Sequence, residues 1–219
     1  MFKDRQEAGK KLAHFLATKK FIDPLILALP RGGVPVAHEV AKHLNTSLDV
    51  VVSRKIGAPM DVEYGIGAIS EDEIPFFNPI SSRFFDIQSS QIQEIVEEEI
   101  LELRRRVSLY RSGRMLPTIK NRNVILIDDG LATGATALAA GQFLRSQNPL
   151  SLTLAVPVGP QITNTMLHEH FDEIICLYRP PNFTSVSLWY REFPQVTDED
   201  VMRTLRLYHP TDWISVQVF

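Results

Sequence analysis

Two adjacent carboxylates, Asp128 and Asp129, come directly after an apolar stretch and before a turn of small residues. The turn, at residues 130–136, carries two glycines and two threonines and leads into a helical pattern. Glycines let backbone N–H groups approach an anion, a helix N-terminus adds partial positive charge, and threonine hydroxyls add donors. Because the acids would repel phosphate, we expect them to hold sugar hydroxyls or a magnesium-bound group beside it. The pattern therefore predicts a phosphate cradle with an acidic neighbour.

Other phosphate-binding loops fit the sequence poorly. The nucleotide P-loop needs a lysine after its second glycine, whereas Ala135 follows Gly134 here. Residues 65–70 lack the third glycine of the dinucleotide fingerprint, and no helical pattern follows them. A plain strand–turn–helix with an aspartate cap would not require two acids and two threonines around a glycine.

Three other chemistries are also disfavoured. His38 and His43 are separated by ~500° around a helix, so they would lie on different faces and would not form a zinc-binding pair. The sequence contains no Gly-x-Ser-x-Gly elbow of a hydrolase. Cys176 lies in an apolar strand pattern, where a core role is expected rather than that of a nucleophile.

Residues 124–136 resemble the phosphoribosyl diphosphate (PRPP) signature of type I phosphoribosyltransferases, with its strand, Asp-Asp pair, small turn and Thr-Gly-x-Thr. Residues 27–35 are similar to that family's pyrophosphate loop, in which bare backbone donors and one fixed cation receive the diphosphate. By position, the resemblance implies a cis peptide between Pro30 and Arg31. Residues 53–59 are similar to the start of the family's mobile catalytic loop, although some relatives carry another lysine just after its glycine and this chain has alanine.

The resemblance covers about residues 25–178 and implies a role for each motif residue. Catalytic roles are implied for Asp128, Asp129, Arg31 and Lys55. The two acids would hold the ribose 2- and 3-hydroxyls, directly or through Mg²⁺. The pyrophosphate would lie on Arg31, Gly32, Gly33 and Mg²⁺, with Lys55 and Arg54 closing over it. The 5-phosphate would lie on the cradle formed by Ala132, Thr133, Gly134, Ala135 and Thr136.

The implied reaction transfers ribose 5-phosphate from PRPP to a nitrogen acceptor, a nucleobase or related compound, and releases pyrophosphate with inversion. An oxocarbenium-like transition state needs positioned charge and no protein nucleophile. The sequence does not identify the acceptor; Ala132 stands where hypoxanthine-type relatives place an aspartate. Glu63 and Glu71 are candidate bases. The alternative is a regulatory module that binds PRPP without turnover, but the basic residues of the two loops favour catalysis.

The elements that must position these residues alternate between strands and helices. Short apolar runs predict strands, and apolar residues at helical spacing predict helices. The predicted strands span residues 25–29, 49–53, 123–128, 152–158 and 173–178. The predicted helices span residues 4–19, 34–44, about 135–147, and 161–170. This alternation predicts an α/β fold with βαβ units, and the family resemblance implies a Rossmann-like parallel five-stranded sheet flanked by helices.

Two regions depart from this alternation. Residues 57–85 are irregular, with a predicted strand pair at 64–70 and 74–77, and an amphipathic helix follows at 89–111. The order of charges along that helix complements its dipole and permits a Glu102–Arg106 pair. The tail from residue 180 carries four aromatic residues that either pack over the sheet edge or line an acceptor pocket. We predict one domain over residues 1–219, with a core at about 22–56 and 120–179, an insertion at 57–119 and a hood at 180–219.

Composition is that of an ordinary globular protein. The chain has 219 residues, with 23 Lys and Arg against 26 Asp and Glu. That near-neutral balance argues against a general nucleic-acid binder. One cysteine excludes an intrachain disulfide, and no apolar run reaches the roughly 18 residues of a membrane span. The charged N-terminus does not resemble a signal peptide, so a cytoplasmic location is expected. A homodimer is a further expectation, because the family often dimerises.

Overall fold

A computed structural model describes residues 1–79, 81–161 and 165–209, with the backbone alone at Glu63. The strands are β1 (Leu25–Ala28), β2 (Leu48–Val50), β3 (Arg54–Ala58), β4 (Asp61–Ile69), β5 (Phe76–Phe77), β6 (Asn123–Ile127), β7 (Ser151–Val158) and β8 (Glu173–Tyr178). The helices are α1 (Arg5–Ala17), α2 (Gly33–Leu44), α3 (Ser90–Arg111), α4 (Ala135–Ser146), α5 (Leu167–His170) and α6 (Asp198–Arg206).

The strands form one parallel and one antiparallel sheet. The parallel sheet has five strands in the order β2-β1-β6-β7-β8, which confirms the predicted α/β fold. The antiparallel sheet has three strands, β3-β4-β5. In the parallel sheet, the chain runs outward from β1 to β2 and, in the opposite direction, from β6 to β8. The order therefore reverses between β1 and β6, and open α/β sheets bind ligands at the carboxyl ends of such strands.

Both faces of the parallel sheet are buried, as its continuous apolar strands require. Ile26 of β1 belongs to a cluster with α1, α2, α3 and α6, whereas its neighbour Leu27 belongs to a cluster with α4 and α5. Both side chains are fully buried. Because successive strand residues point to opposite faces, one short apolar strand contributes side chains to the hydrophobic core on both faces of the sheet. This packing holds the loops after β1 and β6 on a rigid base.

Several predicted elements agree with the structure to within a few residues. Helix α1 begins after Asp4, whose Oδ1 accepts a hydrogen bond from the backbone N–H of Glu7 over 2.8 Å. Such a cap satisfies one of the free donors at a helix start. The predicted pair of β4 with β5 and the long helix α3 are confirmed. The Nε of Arg106 donates to Oε1 of Glu102 over 2.7 Å, as predicted.

Predictions for strand β2 and for the segment after it were partly wrong. The predicted strand 49–53 begins at Leu48 and ends at Val50. The reason is that the backbone of Val52 leaves the sheet: its N–H donates to Glu71 and its carbonyl accepts from Ser70. The next residues then form β3, which the sequence analysis had treated only as the start of a loop.

Two helices near the carboxyl end also differ from prediction. The helix predicted at 161–170 is observed only as α5 from Leu167, after a turn at 165–166, and residues 162–164 lie outside the described part. Helix α6 lies in a tail that was predicted to be irregular, and residues 210–219 of the predicted hood are also outside the description. Among the described residues, no helix is both long and apolar enough to span a membrane.

Candidate active site

The loops that follow β1 and β6 touch each other at the carboxyl edge of the sheet. The N–H of Leu29 donates to the carbonyl of Ile127 over 2.8 Å, which continues the pairing of these strands into the loops. A side chain at Gly33 would lie 2.6 Å from the Ile127 carbonyl, and one at Gly32 would collide with the Asp129 carboxylate. The two glycines therefore allow the predicted pyrophosphate loop to lie against the acid pair. The peptide between Pro30 and Arg31 is cis, as the resemblance implied.

The acid pair retains partial contact with solvent. The side chain of Asp129 is 14% exposed, and Oδ1 of Asp128 accepts from the N–H of Asp129 over 2.8 Å. Burial raises the pKa of the Asp128 carboxyl well above its ordinary value, and the nearby charge of Asp129 raises it further. Burial also raises the pKa of Asp129, although Arg5 opposes that shift. Ionising both groups is therefore costly, which is a property of many binding sites.

Arg5 is a site residue that the sequence analysis missed. Its Nε donates to Oδ2 of Asp129 over 2.8 Å, and its Nη1 donates to the carbonyl of Pro194 over 2.7 Å. The guanidinium lies 3.6 Å from the centre of the Phe193 ring, which is cation–π geometry. Arg5 thus joins helix α1 both to the acid pair and to the tail. One signal was present: an arginine in the first turn opposes the helix dipole, so it needs a specific partner.

The tail aromatics pack together and also reach the site. Tyr190 is buried, and its hydroxyl donates to the backbone carbonyl of Asp129 over 2.5 Å. Burial and the neighbouring Asp129 raise the pKa of Tyr190 far above its ordinary value, so its hydroxyl remains a donor. Phe2 and Phe193 contact the Tyr190 ring. The cluster therefore packs at the sheet edge, as one of the two predicted roles requires, and Phe193 also lines the cleft beside the acid pair.

A cleft of about 580 Å³ opens beside the acid pair. It brings together several of the predicted residues, namely Arg31, Gly32, Arg54 and Asp129. Phe193 of the lining is one of the tail aromatics for which a pocket role was left open. The other lining residues are Arg5, Arg106, Val186, Gln195 and Val196. Four arginines and one carboxylate therefore supply the formal charges of this lining. Such a cleft suits a ligand that carries several negative charges.

Each cleft arginine has a carboxylate partner. The Nε of Arg54 lies 2.6 Å from Glu99, and Arg106 pairs with Glu102. The Nη1 of Arg31 lies 3.5 Å from Asp198. These partners fix the cations without removing them from the cleft, because each guanidinium has five donors and a single carboxylate uses only some of them.

The predicted phosphate cradle forms the start of α4. Gly134 adopts a left-handed backbone with φ of 78°, and α4 begins at Ala135. Ala132 and Thr133 are exposed, and the Thr133 hydroxyl oxygen accepts from the N–H of Ala135 at 3.5 Å. The residue that follows Ala135, Thr136, is half-buried in the first helical turn. The cradle therefore presents a helix N-terminus and small residues to solvent, as an anion site requires.

The cradle also borders a second, smaller recess. This recess measures about 230 Å³ and has residues of the β4–β5 hairpin on one side and of the cradle on the other. Thr133 and Ala135 line it together with Tyr64, Gly65, Gly67, Phe76, Asn78 and Leu138. Lys55 lies on β3, where its side chain runs along Gly65, with Cδ 3.1 Å from the point that a Cβ at this glycine would occupy. Lys55 is therefore placed on the hairpin side, not in the lining of the larger cleft.

Other predicted groups lie away from the cleft lining. Glu71, one of the two candidate bases, forms an ion pair with Arg111 at 2.6 Å in which both side chains are buried, so the structure gives it a structural role. The side chain of Glu63 lies outside the described part. Cys176 donates to the Tyr178 carbonyl, and burial raises the pKa of its thiol, which agrees with a core role.

The donor set of the acid pair suits Mg²⁺, which prefers carboxylate oxygen and retains several waters or substrate oxygens. Among residues 1–79, 81–161 and 165–209, no group of three histidine, cysteine or acidic side chains converges as a metal site. Asp128 and Asp129 would therefore hold a magnesium ion only together with oxygens from a ligand or from water.

Comparisons with known proteins identify a matching family and several relatives. The family model described as phosphoribosyl transferase domain matches residues 3–184. A curated protein of Mycobacterium tuberculosis, named "Putative phosphoribosyl transferase Rv0571c", is 39% identical over 209 residues. Those residues are 95% of this chain and 47% of that protein, so the chain spans about half the length of its curated relative.

Solved structures resemble the chain as well. TT1426 from Thermus thermophilus, known from a crystal structure, is 38% identical in sequence to this chain. The match covers 94% of this chain and 98% of the TT1426 chain, with a TM-score of 0.78. A hypothetical protein from Neisseria gonorrhoeae with bound ppGpp is 10% identical, covers 94% of this chain and 98% of its own, and has a TM-score of 0.54. The second likeness concerns the fold alone. Because the family model matches residues 3–184, which is more than half of the chain, the chain belongs to the phosphoribosyl transferase domain family.

Proposed function

We propose that this chain transfers the ribose 5-phosphate group from PRPP to a nitrogen acceptor and releases pyrophosphate. One observation supports this proposal most strongly: Gly32, on the predicted pyrophosphate loop, lies in contact distance of Asp129, on the predicted ribose loop. A ligand that carries a diphosphate on one carbon of a pentose and hydroxyls on the next two needs these two loops side by side. Membership of the family supports the same reading.

Each part of PRPP has a matching part of the site. The 5-phosphate would bind the cradle at residues 132–136, and the diphosphate would bind Arg31 and the open backbone of Gly32 and Gly33. The hydroxyls of the ribose would bind the carboxylates of Asp128 and Asp129. Asp128 and Asp129 would also hold Mg²⁺, which would supply positive charge that stabilises the leaving group.

The chemical step would break the bond between ribose C1 and the diphosphate oxygen while the acceptor nitrogen forms a bond to C1 from the opposite face. Pyrophosphate leaves with the electron pair, and the acceptor loses a proton. Positive charge develops on the ribose in the transition state, and the carboxylates beside it stabilise that charge. Arginines of the cleft would stabilise the negative charge that grows on the diphosphate.

The acceptor would bind on the tail side of the cleft. That wall carries Val186, Phe193, Gln195 and Val196. These residues offer apolar surface and one amide group, which suits a planar heterocycle that forms a small number of hydrogen bonds. We therefore propose a nucleobase or a related compound as the acceptor. We also propose that the protein is cytoplasmic, because the lack of an intrachain disulfide favours that compartment.

Calorimetry with PRPP, in the presence and absence of Mg²⁺, tests the binding part of the proposal. We expect saturable binding that strengthens with Mg²⁺. Pyrophosphate release across a panel of nucleobases and related heterocycles tests the transfer part. Release with any acceptor supports the enzyme. Tight binding of PRPP with no release for any acceptor supports the regulatory module instead, and the absence of PRPP binding refutes both.

A further inference from the structure

Asp198 is the first residue of α6, and helix α3 holds its carboxylate in place. Its Oδ1 accepts from the hydroxyl of Tyr110 over 2.5 Å, and its Oδ2 accepts from Nη2 of Arg105 over 2.9 Å. The Tyr110 residue is fully buried, so this donor sits on a rigid side chain. Partial burial acts to raise the Asp198 pKa, but the contacts with Tyr110 and Arg105 hold it below its ordinary value, so the group is ionised at neutral pH. A charged acceptor is therefore fixed at this point.

Arg31 meets this fixed acceptor from the other side. Its Nη1 lies 3.5 Å from Oδ1 of Asp198, and its side chain is 29% exposed and lines the cleft. The contact is long for a hydrogen bond, so Arg31 retains the freedom to engage a ligand. Asp198 keeps its two stronger partners on α3 when that happens. The geometry is therefore that of an orienting group rather than of a closed ion pair.

Helix α6 has its own means of stability. Thr197 and Asp200 form a capping box at its start, and Val201 and Leu205 are fully buried against the rest of the protein. These features hold the helix independently of the Asp198 carboxylate. Asp198 is thus placed at the end of an element that is already fixed, close to the predicted pyrophosphate loop.

We propose that Asp198 is a positioning residue for Arg31, through which the inserted helix α3 and the tail helix α6 together aim the cation that receives the diphosphate. The inference rests on the proposed function and extends it to two elements that none of the motifs contain. An arginine side chain loses considerable rotamer freedom when it binds. An acceptor that limits Arg31 beforehand lowers that cost at the moment of binding.

Two matched substitutions test the inference. Asp198→Asn removes the charge that faces Arg31, whereas Asp200→Asn removes the same charge two residues later on a side chain that contacts Thr197 and Arg203. We expect Asp198→Asn to weaken the binding of magnesium–PRPP by about 5-fold, the scale of one ordinary hydrogen bond, and Asp200→Asn by less than about 2-fold. A purely electrostatic role for Asp198 predicts the opposite sign, because losing a negative charge would favour an anionic ligand.

A double-mutant cycle decides whether the effect passes through Arg31. In an Arg31→Ala background, Asp198→Asn should change magnesium–PRPP affinity by less than about 2-fold. An equal loss in both backgrounds, or no loss in the single variant, overturns the inference while leaving the proposed function intact. Failure of the wild-type protein to bind magnesium–PRPP overturns the proposed function and the inference with it.

Tyr110→Phe provides a second route if Asp198→Asn does not fold. It removes one donor to Asp198 and leaves every charge in place. We expect a smaller loss of magnesium–PRPP affinity, about 2- to 3-fold, that again disappears in the Arg31→Ala background. A loss that persists in that background contradicts a role through Arg31.

Discussion

The Nε atom of Arg5 lies 2.8 Å from Oδ2 of Asp129, so the first residue of helix α1 is in direct contact with the acid pair at the carboxyl edge of the sheet. The two residues are 124 positions apart in the sequence. Their side chains are 10% and 14% exposed. A charge pair with so little exposure to solvent is strongly ordered, and loss of one partner leaves the charge of the other buried and unpaired. The N-terminal helix is therefore part of the site and not only a cover for the sheet.

Replacement of Arg5 tests this relationship. We expect Arg5→Gln to lower the free energy of unfolding by about 1–3 kcal/mol, because Asp129 and the Pro194 carbonyl lose a charged donor. We also expect a weaker affinity for magnesium–PRPP, since the orientation of Asp129 is no longer fixed. Urea unfolding and calorimetry measure the two effects. The matched control is Lys10→Gln, which removes an exposed charge from the same helix. Equal changes in unfolding free energy and in magnesium–PRPP affinity for the two variants would show that Arg5 does not fix Asp129 in the site.

The carboxylate of Asp129 is expected to matter for ligand binding as well as for its pair with Arg5. Asp129→Asn removes the charge that compensates Arg5, which lowers stability, but it keeps the shape of the side chain and an oxygen that can accept from Arg5. The variant should therefore still fold, and it should bind magnesium–PRPP at least about 10-fold more weakly, the scale of losing charge-assisted hydrogen bonds. Calorimetry gives the affinity, and the melting temperature confirms the fold. Unchanged PRPP affinity would contradict the assignment of this acid to the ribose.

Close contact between the two loops gives a steric prediction. In Gly32→Ala the new methyl group must displace the Asp129 carboxylate, so magnesium–PRPP affinity should fall by about 10-fold or more, the scale of a ~1.4 kcal/mol or larger disturbance at the ribose site. Gly113→Ala is the control, because Gly113 has a φ of 85° and no atom beyond its chain neighbours lies within 4 Å of the new methyl group, so this substitution strains the backbone without a contact at the site. That variant should lose stability and keep the PRPP affinity of its folded fraction. Calorimetry below the melting temperature of each variant distinguishes these outcomes. If the control lost PRPP affinity and Gly32→Ala kept it, the contact between Gly32 and Asp129 would not belong to the binding site.

The arrangement of strands and helices was largely predictable because the signals are local. The apolar runs at residues 123–127 and 173–178 are bounded by polar or turn residues, and their hydrophobicity leaves few alternatives to buried strands. Strand β3 was missed because its five residues include a glycine and two basic residues, and its pairing with β4 depends on contacts outside the segment. Helix α6 was missed although Thr197 and Asp200 form a capping box, a pattern that is visible in the sequence.

The site was predictable only where its residues lie next to one another. The acid pair and the cradle form one motif, and Arg31 with its glycines forms another. Arg5 and Asp198 come from opposite ends of the chain, and each reaches the site through the tertiary packing of a helix. No local spacing records such a contact, so a single sequence contains at most an indirect sign of it, such as a basic residue at the start of α1.

The unfavourable ionisation of Asp128 predicts a pH-dependent gain of stability when it is replaced. Burial raises its pKa in the folded protein above the value in the unfolded chain. Below the pKa that Asp128 has in the unfolded chain, the carboxyl is protonated in both states and does not change the free energy of unfolding. As the pH rises from there through the pKa that it has in the folded protein, stability is lost, because only the unfolded state ionises freely. Asp128→Asn retains an oxygen that can accept from the N–H of Asp129. The variant should therefore match the wild type near pH 4 and become increasingly more stable towards pH 8.

Melting temperatures measured from pH 4 to pH 8 in the presence of a chelator test this prediction. A gain of about 1 kcal/mol at the upper end would raise the melting temperature by about 2–4 °C for a chain of this size. Asp86→Asn is the control, because Asp86 is exposed and its carboxylate also accepts from a backbone N–H. Its curve should follow the wild type throughout. A stability difference for Asp128→Asn that does not change with pH would mean that packing, and not the charge of a buried carboxylate, separates the variant from the wild type.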